Sequence, residues 1–397
     1  MNTQAPEAAI TAWLATQQDA MIALLRDMVD IDSGSGSGSY DKPGIDAVGA
    51  VAERFLQQHG IPVERLPQSR HGDCLRAAVP WDGPRRNGPD NIVLMGHRDT
   101  VFPSGEAGRR PFTIRDGVAY GPGVADMKAG LVMNCFVLAV FARFGGSPAP
   151  LVGLFTGDEE IGSPEGRPVI ENEARHARVV FNGEPGRATG SVVTGRKGGV
   201  FMAMHVTGKA AHSGGAFTDG VSAIGELAHK INAIHALTDL GRGVTLNVGL
   251  ISGGQSVNTV APWAEGQIDL RYVESADRAD IMARVGAIID RSTIPGTTAT
   301  LTTKGEFLPL VQTAAARRLF DLYVDSAAAS GLTIAGEFSG GCADSGFTAG
   351  VGTPTLCSVG PVGGKAHSPD EFLMLDSLVP RAQACVRAIL QLEKAGL

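Results

Sequence analysis

The chain has 397 residues, a formal net charge of −7 and 43% hydrophobic residues, so it is long enough for two domains and apolar enough to fill two cores. The negative charge, without any run of basic residues, argues against a nucleic-acid-binding surface. The five cysteines are an odd number with no pair at metal-binding spacing, which argues against a disulfide framework and a cysteine-ligated zinc site and favours a cytoplasmic location.

Two helical segments are predicted near the N-terminus, over residues 10–29 and 45–59, from the spacing of their apolar residues. Charged residues interrupt the first segment, so it is typical of an amphipathic helix and not of a signal peptide. Residues 33–39 between them alternate serine and glycine, and this composition predicts a flexible loop.

A strand predicted over residues 91–96 leads into His97 and Asp99. Because side chains alternate along a strand, these two residues lie on the same side of the chain. The spacing suits a metal-binding imidazole whose other ring nitrogen is held by a carboxylate. The alternative is a core histidine beside a capping aspartate.

A Gly/Pro turn over residues 120–130 carries Asp126 and leads into an apolar helix predicted over residues 131–144. Asp126 is either the N-cap of this helix or a carboxylate that bridges two metal ions. The helix contains Asn134 and Arg143 and is too short to span a bilayer, so no membrane association is expected.

Two further predicted strands end in acidic residues. Residues 150–155 lead to Glu159 and Glu160, and residues 177–183 lead to Glu184. Open α/β sheets hold their ligands at the carboxyl ends of such buried strands. Because adjacent residues leaving a strand point in different directions, one glutamate of the pair can bind a cation while the other acts as a base. The alternative is a solvated acidic loop.

The middle of the chain differs from its flanks. Its predicted elements follow the order strand, helix, strand, strand, helix, strand, which is typical of a small α+β sandwich. We therefore predict an α/β catalytic domain formed by residues 1–194 and 307–397, with an inserted lid or dimerisation domain over residues 195–306. After the insertion, a strand predicted over residues 353–360 leads through a Gly-rich turn to His367, a candidate site residue.

Six short motifs in chain order resemble those of the co-catalytic di-zinc peptidases and amidohydrolases, a family that includes carboxypeptidase G, acetylornithine deacetylase and succinyl-diaminopimelate desuccinylase. The motifs occupy residues 96–101, 121–130, 158–163, 183–185, 208–214 and 366–369. Residues 195–198 and 340–344 make the carboxypeptidase G branch the most similar. The resemblance implies a zinc-peptidase-like α/β/α catalytic domain with an inserted α+β sandwich, a homodimer, and two zinc ions per subunit, for which cobalt or manganese could substitute.

The resemblance also assigns roles to residues. The implied metal ligands are His97 and Glu184 for one ion, Glu160 and His367 for the other, and Asp126 between the two. Asp99 would orient His97, and Glu159 would be the general base.

Three residues of the inserted domain are candidates for contact with substrate, two of them through the resemblance to the family. In the family that the chain resembles, a histidine at the position of His212 reaches the active site of the partner subunit and stabilises an oxyanion. The alternative for His212 is an exposed histidine in a turn. Asn258 resembles a substrate-contacting asparagine, with a turn asparagine as the alternative. Arg271 could bind a substrate carboxylate or form an ion pair with Asp269.

The implied substrate is a small peptide or an N-acyl amino acid. Carboxypeptidase-type cleavage, which releases a C-terminal amino acid, is the first interpretation, and N-acyl-amino-acid deacylation or aminopeptidase action are alternatives. Many relatives have an arginine before a proline at the end of the inserted domain, but here Leu308 precedes Pro309, so specificity for C-terminal glutamate does not follow. A catalytically dead binding protein would lack a ligand or the base, and none is missing.

Overall fold

The computed structural model describes residues 7–35 and 40–397, and the chain divides into two compact units. The first unit comprises Met1–Gly195, Leu310–Ser339 and Ala343–Leu397, and the second comprises Arg196–Pro309 and Gly340–Cys342. The second unit thus extends past residue 306, the predicted end of the insertion, and also takes in three residues from a later part of the chain.

The α-helices of the described residues are α1 (Glu7–Ala15), α2 (Gln18–Val29), α3 (Lys42–Gln58), α4 (Glu106–Arg109), α5 (Ala129–Phe144), α6 (Gly166–Arg175), α7 (Ala223–His235), α8 (Ser275–Asp290), α9 (Ala314–Ala328), α10 (Ser345–Gly350) and α11 (Leu378–Gln391). The strands are β1 (Val63–Leu66), β2 (Cys74–Ala78), β3 (Asn91–His97), β4 (Thr113–Arg115), β5 (Val118–Tyr120), β6 (Leu151–Thr156), β7 (Ala177–Asn182), β8 (Val192–Arg196), β9 (Gly198–Thr207), β10 (Thr245–Gly253), β11 (Trp263–Tyr272), β12 (Thr298–Phe307), β13 (Gly336–Ser339), β14 (Thr355–Cys357), β15 (Gly363–Gly364) and β16 (Phe372–Met374).

An eight-stranded sheet in the order β1-β2-β6-β3-β7-β14-β8-β13 forms the centre of the first unit. Its middle strands β6, β3, β7 and β14 run parallel. Strands β3, β6 and β7 are buried along their whole length, as expected for parallel strands covered on both faces. In register, His97 lies beside Thr156, and Met95 beside Asn182, so the carboxyl ends of these strands meet at one edge.

Helix α5 packs against β3 and β6 and lies in the same core cluster as residues of α1, α9 and α11. All of its residues from Ala129 to Phe141 are buried, which explains why it is apolar on every side. Together with the preceding turn it forms a helical segment, Val124–Phe144, that has the length and hydropathy of a membrane span, although 94% of its most apolar window is buried inside the protein. The prediction that this stretch is too short to span a bilayer is wrong in its length, because the helical segment begins at Val124 and not at Leu131.

The second unit contains an antiparallel sheet in the order β10-β11-β9-β12, with helices α7 and α8 packed against it. Residues alternate in burial along β11, where Ala264, Ile268 and Leu270 are buried in the core of this unit. The Ser222 hydroxyl caps α7 by accepting a hydrogen bond from the Gly225 amide at 3.0 Å. The predicted order of two helices and four strands is found, and the α/β fold class is confirmed.

Several predicted elements differ in detail. The helix predicted over residues 10–29 is broken into α1 and α2, because the hydroxyl of Thr16 donates to the Trp13 carbonyl at 2.7 Å and a turn replaces the continuous helix. The strand predicted over residues 353–360 is paired only over Thr355–Cys357. The part of the predicted 33–39 loop that is described is fixed, since the Ser35 amide donates to the Thr100 carbonyl at 2.8 Å. Residues 36–39 lie outside the described residues.

Substitution of Gly130 tests the close packing of α5 against the end of β7. A Cβ at this position would lie 1.8 Å from the carbonyl oxygen of Gly183. Gly130→Ala should therefore lower the free energy of unfolding by about 1–3 kcal/mol, measured by urea denaturation, because the helix must move away from the strand. Gly108→Ala in α4 is the control, since no heavy atom lies within 4 Å of its Cβ position. An unchanged unfolding midpoint for Gly130→Ala would contradict the packing.

Candidate active site

Histidine and glutamate side chains follow the carboxyl ends of the four parallel strands. His97 is the last residue of β3, Glu159 and Glu160 follow β6, and Glu184 follows β7. His367 lies downstream of β14, in the loop between β15 and β16. Because these strands are neighbours in the sheet, residues far apart in sequence come together at one edge.

Asp126 lies between the two histidines. Its Oδ1 is 3.3 Å from Nε2 of His97, and its Oδ2 is 3.5 Å from Nε2 of His367. Each carboxylate oxygen therefore faces a different imidazole, as a bridging carboxylate requires. The N-cap alternative for Asp126 is wrong, because α5 begins at Ala129, its N-cap position is Lys128 and no side chain caps it.

Two glutamates complete the group. Oε2 of Glu160 lies 3.2 Å from Nε2 of His367, and Oε1 of Glu184 lies 3.7 Å from Nε2 of His97. Ligand atoms of His97, Asp126 and Glu160 lie within 4.8 Å of one another. The solvated-loop alternative for the two glutamates after β6 does not hold, since Glu159 is 7% exposed and the Glu160 side chain 6% exposed.

These residues fit divalent metal ions. The donors are imidazole nitrogens and carboxylate oxygens without sulfur, a set that suits zinc in hydrolytic sites and also manganese or cobalt. One buried oxygen of this group, Oε1 of Glu160, has no hydrogen-bond partner among the described residues. A buried carboxylate oxygen is costly to leave unpaired, and a cation would satisfy it.

The electrostatics of the group also favour cations. Burial raises the pKa of Glu159 well above its ordinary value, and the negative charges of Glu184 and Glu160 add to this effect. Burial likewise raises the pKa of Glu160 to about 7. Burial alone would lower the pKa of His97, but hydrogen bonds with Asp126 and Asp99 outweigh burial and raise it well above the ordinary value. Closely spaced acids of this kind repel one another, and a bound cation relieves the repulsion.

Asp99 contacts both His97 and the backbone of the turn that carries Glu159 and Glu160. Its backbone carbonyl and its Oδ1 lie 3.0 Å and 3.4 Å from Nδ1 of His97, which directs Nε2 of that histidine towards Asp126. Its carboxylate also accepts hydrogen bonds from the amides of Glu159 at 3.1 Å and Glu160 at 3.0 Å. Ser35 also donates its hydroxyl to Asp99, at 2.8 Å. The sequence signal for Ser35 is hidden in the Ser/Gly tract, whose composition indicates only a loop.

Glu371 is a second residue that the sequence pattern does not single out. It is fully buried, and its carboxylate accepts hydrogen bonds from the backbone amides of Gly123 at 2.9 Å and of Ala125 and Asp126, each at 2.8 Å. It therefore fixes the turn that carries Asp126, while it follows His367 by four residues in the chain. The sequence shows that Glu371 is near His367 in the chain, but it does not predict which backbone amides Glu371 binds.

The remaining predicted site residues belong to the second unit. Nδ1 of His212 accepts hydrogen bonds from the amides of Gly214 at 3.1 Å and Gly215 at 3.0 Å. Because Nδ1 acts as an acceptor, the neutral ring carries its proton on Nε2, which is then a donor. Asn258 is exposed, and its side-chain oxygen accepts a hydrogen bond from Ser256 at 2.8 Å.

Arg271 is already engaged within the second unit. Its Nε donates to Asp269 at 2.8 Å, its Nη1 lies 2.8 Å from Sγ of Cys342, and its guanidinium carbon lies 5.0 Å from the centre of the Phe201 ring. The ion pair with Asp269, which was one alternative for this arginine, is therefore formed.

Comparison with known proteins agrees with this geometry. The model of peptidase family M20/M25/M40 matches residues 93–391. Carboxypeptidase G2 from Pseudomonas sp. (strain RS-16) is 28% identical over 384 residues, covering 95% of this chain and 90% of that protein. Acetylornithine deacetylase from Yersinia pseudotuberculosis is 29% identical over 239 residues, covering 56% of this chain and 59% of that protein.

A solved structure shows the same fold. The crystal structure of an M20 family metallo-carboxypeptidase from Sulfolobus solfataricus has a TM-score of 0.75 and 18% sequence identity, covering 93% of this chain and 98% of that one. Enzymes of this family typically depend on two metal ions. The family match includes every proposed metal ligand, from His97 to His367. The chain therefore belongs to peptidase family M20/M25/M40 and is a metallopeptidase or amidohydrolase.

Proposed function

We propose that the chain uses two zinc ions to hydrolyse an amide or peptide bond and release a C-terminal amino acid from a small peptide. The observation that carries this proposal is Asp126, whose two carboxylate oxygens face Nε2 of His97 and Nε2 of His367 at 3.3 Å and 3.5 Å. A single carboxylate shared between two imidazoles is the arrangement that a pair of metal ions needs, because a shared anion offsets their repulsion.

The proposed ligands divide between the two ions. His97 and Glu184 would hold one, Glu160 and His367 the other, and Asp126 both, in keeping with the short distances within each pair. Bound zinc would supply Lewis-acid chemistry by lowering the pKa of a water molecule and polarising the scissile carbonyl.

Glu159 is the proposed general base. Its Oε2 lies 3.9 Å from Nε2 of His97, so it stands beside the proposed ligands without being one of them, as a general base requires. In this role it accepts a proton from the attacking water and later delivers it to the leaving nitrogen. Asp99 holds the Glu159 amide and orients His97, which makes it a positioning residue.

His212 is the proposed oxyanion donor. Its Nε2 is the protonated nitrogen of the neutral ring, so it can donate a hydrogen bond to a developing negative charge. From the resemblance to the family, this histidine would reach the active site of a partner subunit, and this supports our proposal of a homodimer. The odd number of cysteines supports the proposal of a cytoplasmic location.

Carboxypeptidase action is preferred to deacylation because the relative named carboxypeptidase G2 aligns over 95% of the chain, whereas the relative named acetylornithine deacetylase aligns over 56%. The second candidate is removal of a small acyl group from an N-acyl amino acid, which uses the same chemistry. Leu308 stands where many relatives have a carboxylate-binding arginine, so recognition of a glutamate side chain would require other basic residues.

Removal of metal tests the proposed cofactor. Dialysis against a chelator should abolish hydrolysis, because the water then loses its activation, and addition of zinc, cobalt or manganese should restore it. Metal content is measured by elemental analysis of the same samples, and the buffer-dialysed protein is the control. Full activity in a preparation shown to be free of metal would exclude this mechanism.

Glu159→Gln tests the general base. The substitution keeps the shape of the side chain but removes the proton acceptor, so kcat should fall by about 10²- to 10⁴-fold while two metal ions stay bound. Glu160→Gln is the matched control, because loss of a proposed ligand should reduce the metal content as well as kcat. A Glu159→Gln enzyme that keeps kcat within about tenfold of the parent would show that another group is the base.

A substrate panel tests the reaction type. Peptides with blocked amino termini, the same peptides with C-terminal amides, and N-acetyl amino acids are incubated with the enzyme, and the released amino acid is identified by mass spectrometry. Carboxypeptidase action should cleave the blocked peptides and spare the amides. Preferential cleavage of N-acetyl amino acids would favour the deacylase, and a requirement for a free amino terminus would indicate an aminopeptidase.

A further inference from the structure

Asp344 is a buried carboxylate that is not among the proposed metal ligands. It is 3% exposed, and it is the last residue of the motif at residues 340–344. A buried acid needs hydrogen-bond donors, so its partners indicate what it does.

The two oxygens of Asp344 bind the two ends of one turn. The hydroxyl of Thr156 donates to Oδ2 at 3.3 Å, and the hydroxyl of Ser163 donates to Oδ1. Thr156 is the last residue of β6, Ser163 follows Gly162 at the end of the turn, and both are fully buried. The turn between these hydroxyls carries Glu159 and Glu160.

The same turn is held at its centre by another acid. Asp99 accepts hydrogen bonds from the amides of Glu159 and Glu160, at 3.1 Å and 3.0 Å. At the far end, Ser163 has a φ of 50°, in the left-handed region that disfavours residues other than glycine. A residue keeps such a conformation only where its surroundings hold it. The hydrogen bond from Ser163 to Asp344 is one interaction that does so.

We propose that Asp344 is a positioning residue for this enzyme: it joins both ends of the Glu159-Glu160 turn and so fixes the base and the neighbouring metal ligand in place. This inference rests on the proposed function, because it takes the roles of Glu159 and Glu160 from it. Asp344 acts through Thr156 and Ser163 and touches neither substrate nor metal.

The test compares Asp344→Ala with Asp344→Asn. Alanine removes both hydrogen bonds, so kcat and the affinity for metal should each fall by about 10- to 100-fold, with a smaller change in KM. Asparagine should restore most of both values, because a hydroxyl can donate to the amide oxygen and accept from the amide nitrogen. Ser345→Ala is the matched control: it is the next residue, it is fully buried, and its hydroxyl has no hydrogen-bond partner in the part of the chain that the structure describes.

Two readouts do not depend on activity. Metal affinity is measured by competition with a chromophoric chelator using zinc alone, and amide hydrogen exchange is followed by mass spectrometry in peptides that contain residues 157–162. Asp344→Ala should lose zinc more readily and exchange these amides faster. If no substrate is hydrolysed even by the parent protein, the proposed function fails, while these two measurements still decide the role of Asp344.

A different set of results is expected if Asp344 contributes only to folding stability. A purely structural Asp344 would lower the free energy of unfolding of the alanine variant but leave kcat, zinc affinity and exchange in residues 157–162 unchanged in the folded protein, and this would overturn the inference. Should Asp344→Ala fail to fold, Ser163→Ala and Thr156→Val each remove one of the two hydrogen bonds. Each should then show a smaller loss of the same kind, and parent-like values in both would contradict the proposal.

Discussion

The arrangement of the first unit depends on one carboxylate shared by two histidines. Asp126 presents one oxygen to His97 and the other to His367, and these histidines come from the end of β3 and from the loop between β15 and β16. Its pKa would be raised by burial, but its hydrogen bonds with His367 and His97 outweigh burial and lower it, so the group is ionised. One anion thus lies between the two imidazoles, and Glu184 and Glu160 lie beside the same two rings.

The acids that surround this carboxylate have a thermodynamic cost. Glu159 and Glu160 are buried next to one another and near Glu184, and burial and mutual repulsion raise the pKa of Glu159. Such a cluster disfavours the folded state unless cations balance it, so metal binding and folding stability are coupled in this unit. The group therefore suits charge compensation by bound cations.

Three further carboxylates do not bind substrate or metal in this scheme but hold the polypeptide that does. Asp99 accepts a hydrogen bond from the backbone amide of Glu159, and Glu371 accepts one from the amide of Asp126. Asp344 accepts hydrogen bonds from hydroxyls at both ends of the Glu159-Glu160 turn. Each uses the same physical device, a buried acceptor that satisfies several donors of an irregular turn. These hydrogen bonds stabilise the irregular turns in the way that hydrogen bonds between neighbouring strands stabilise a sheet.

The sequence predicted the strand ends well, because a buried apolar run followed by an acid or histidine is a local pattern and parallel strands deliver such residues to one edge. The sequence predicted the turns that carry Asp126 and the Glu159-Glu160 pair, but not the carboxylates that hydrogen-bond to them. Glu371 and Asp344 lie far from these partners in the chain, and no local pattern encodes the contacts. The break between α1 and α2 depends on a side-chain bond to the backbone that apolar spacing does not reveal.

In the proposed mechanism, the residues that would recognise the substrate differ from those that would carry out the chemistry. The proposed ligands lie at strand ends whose positions are set by the register of the sheet, and the relatives of this chain carry several different names. Arg271, by contrast, is committed to Asp269 and Cys342, which leaves its guanidinium fewer donors for a substrate carboxylate. With Leu308 also in place of the arginine that many relatives have, two basic groups that could select an acidic substrate side chain are weakened or absent. Under the proposed function, the same metal chemistry would then act on a different amino acid, because recognition and catalysis would rest on separate sets of side chains.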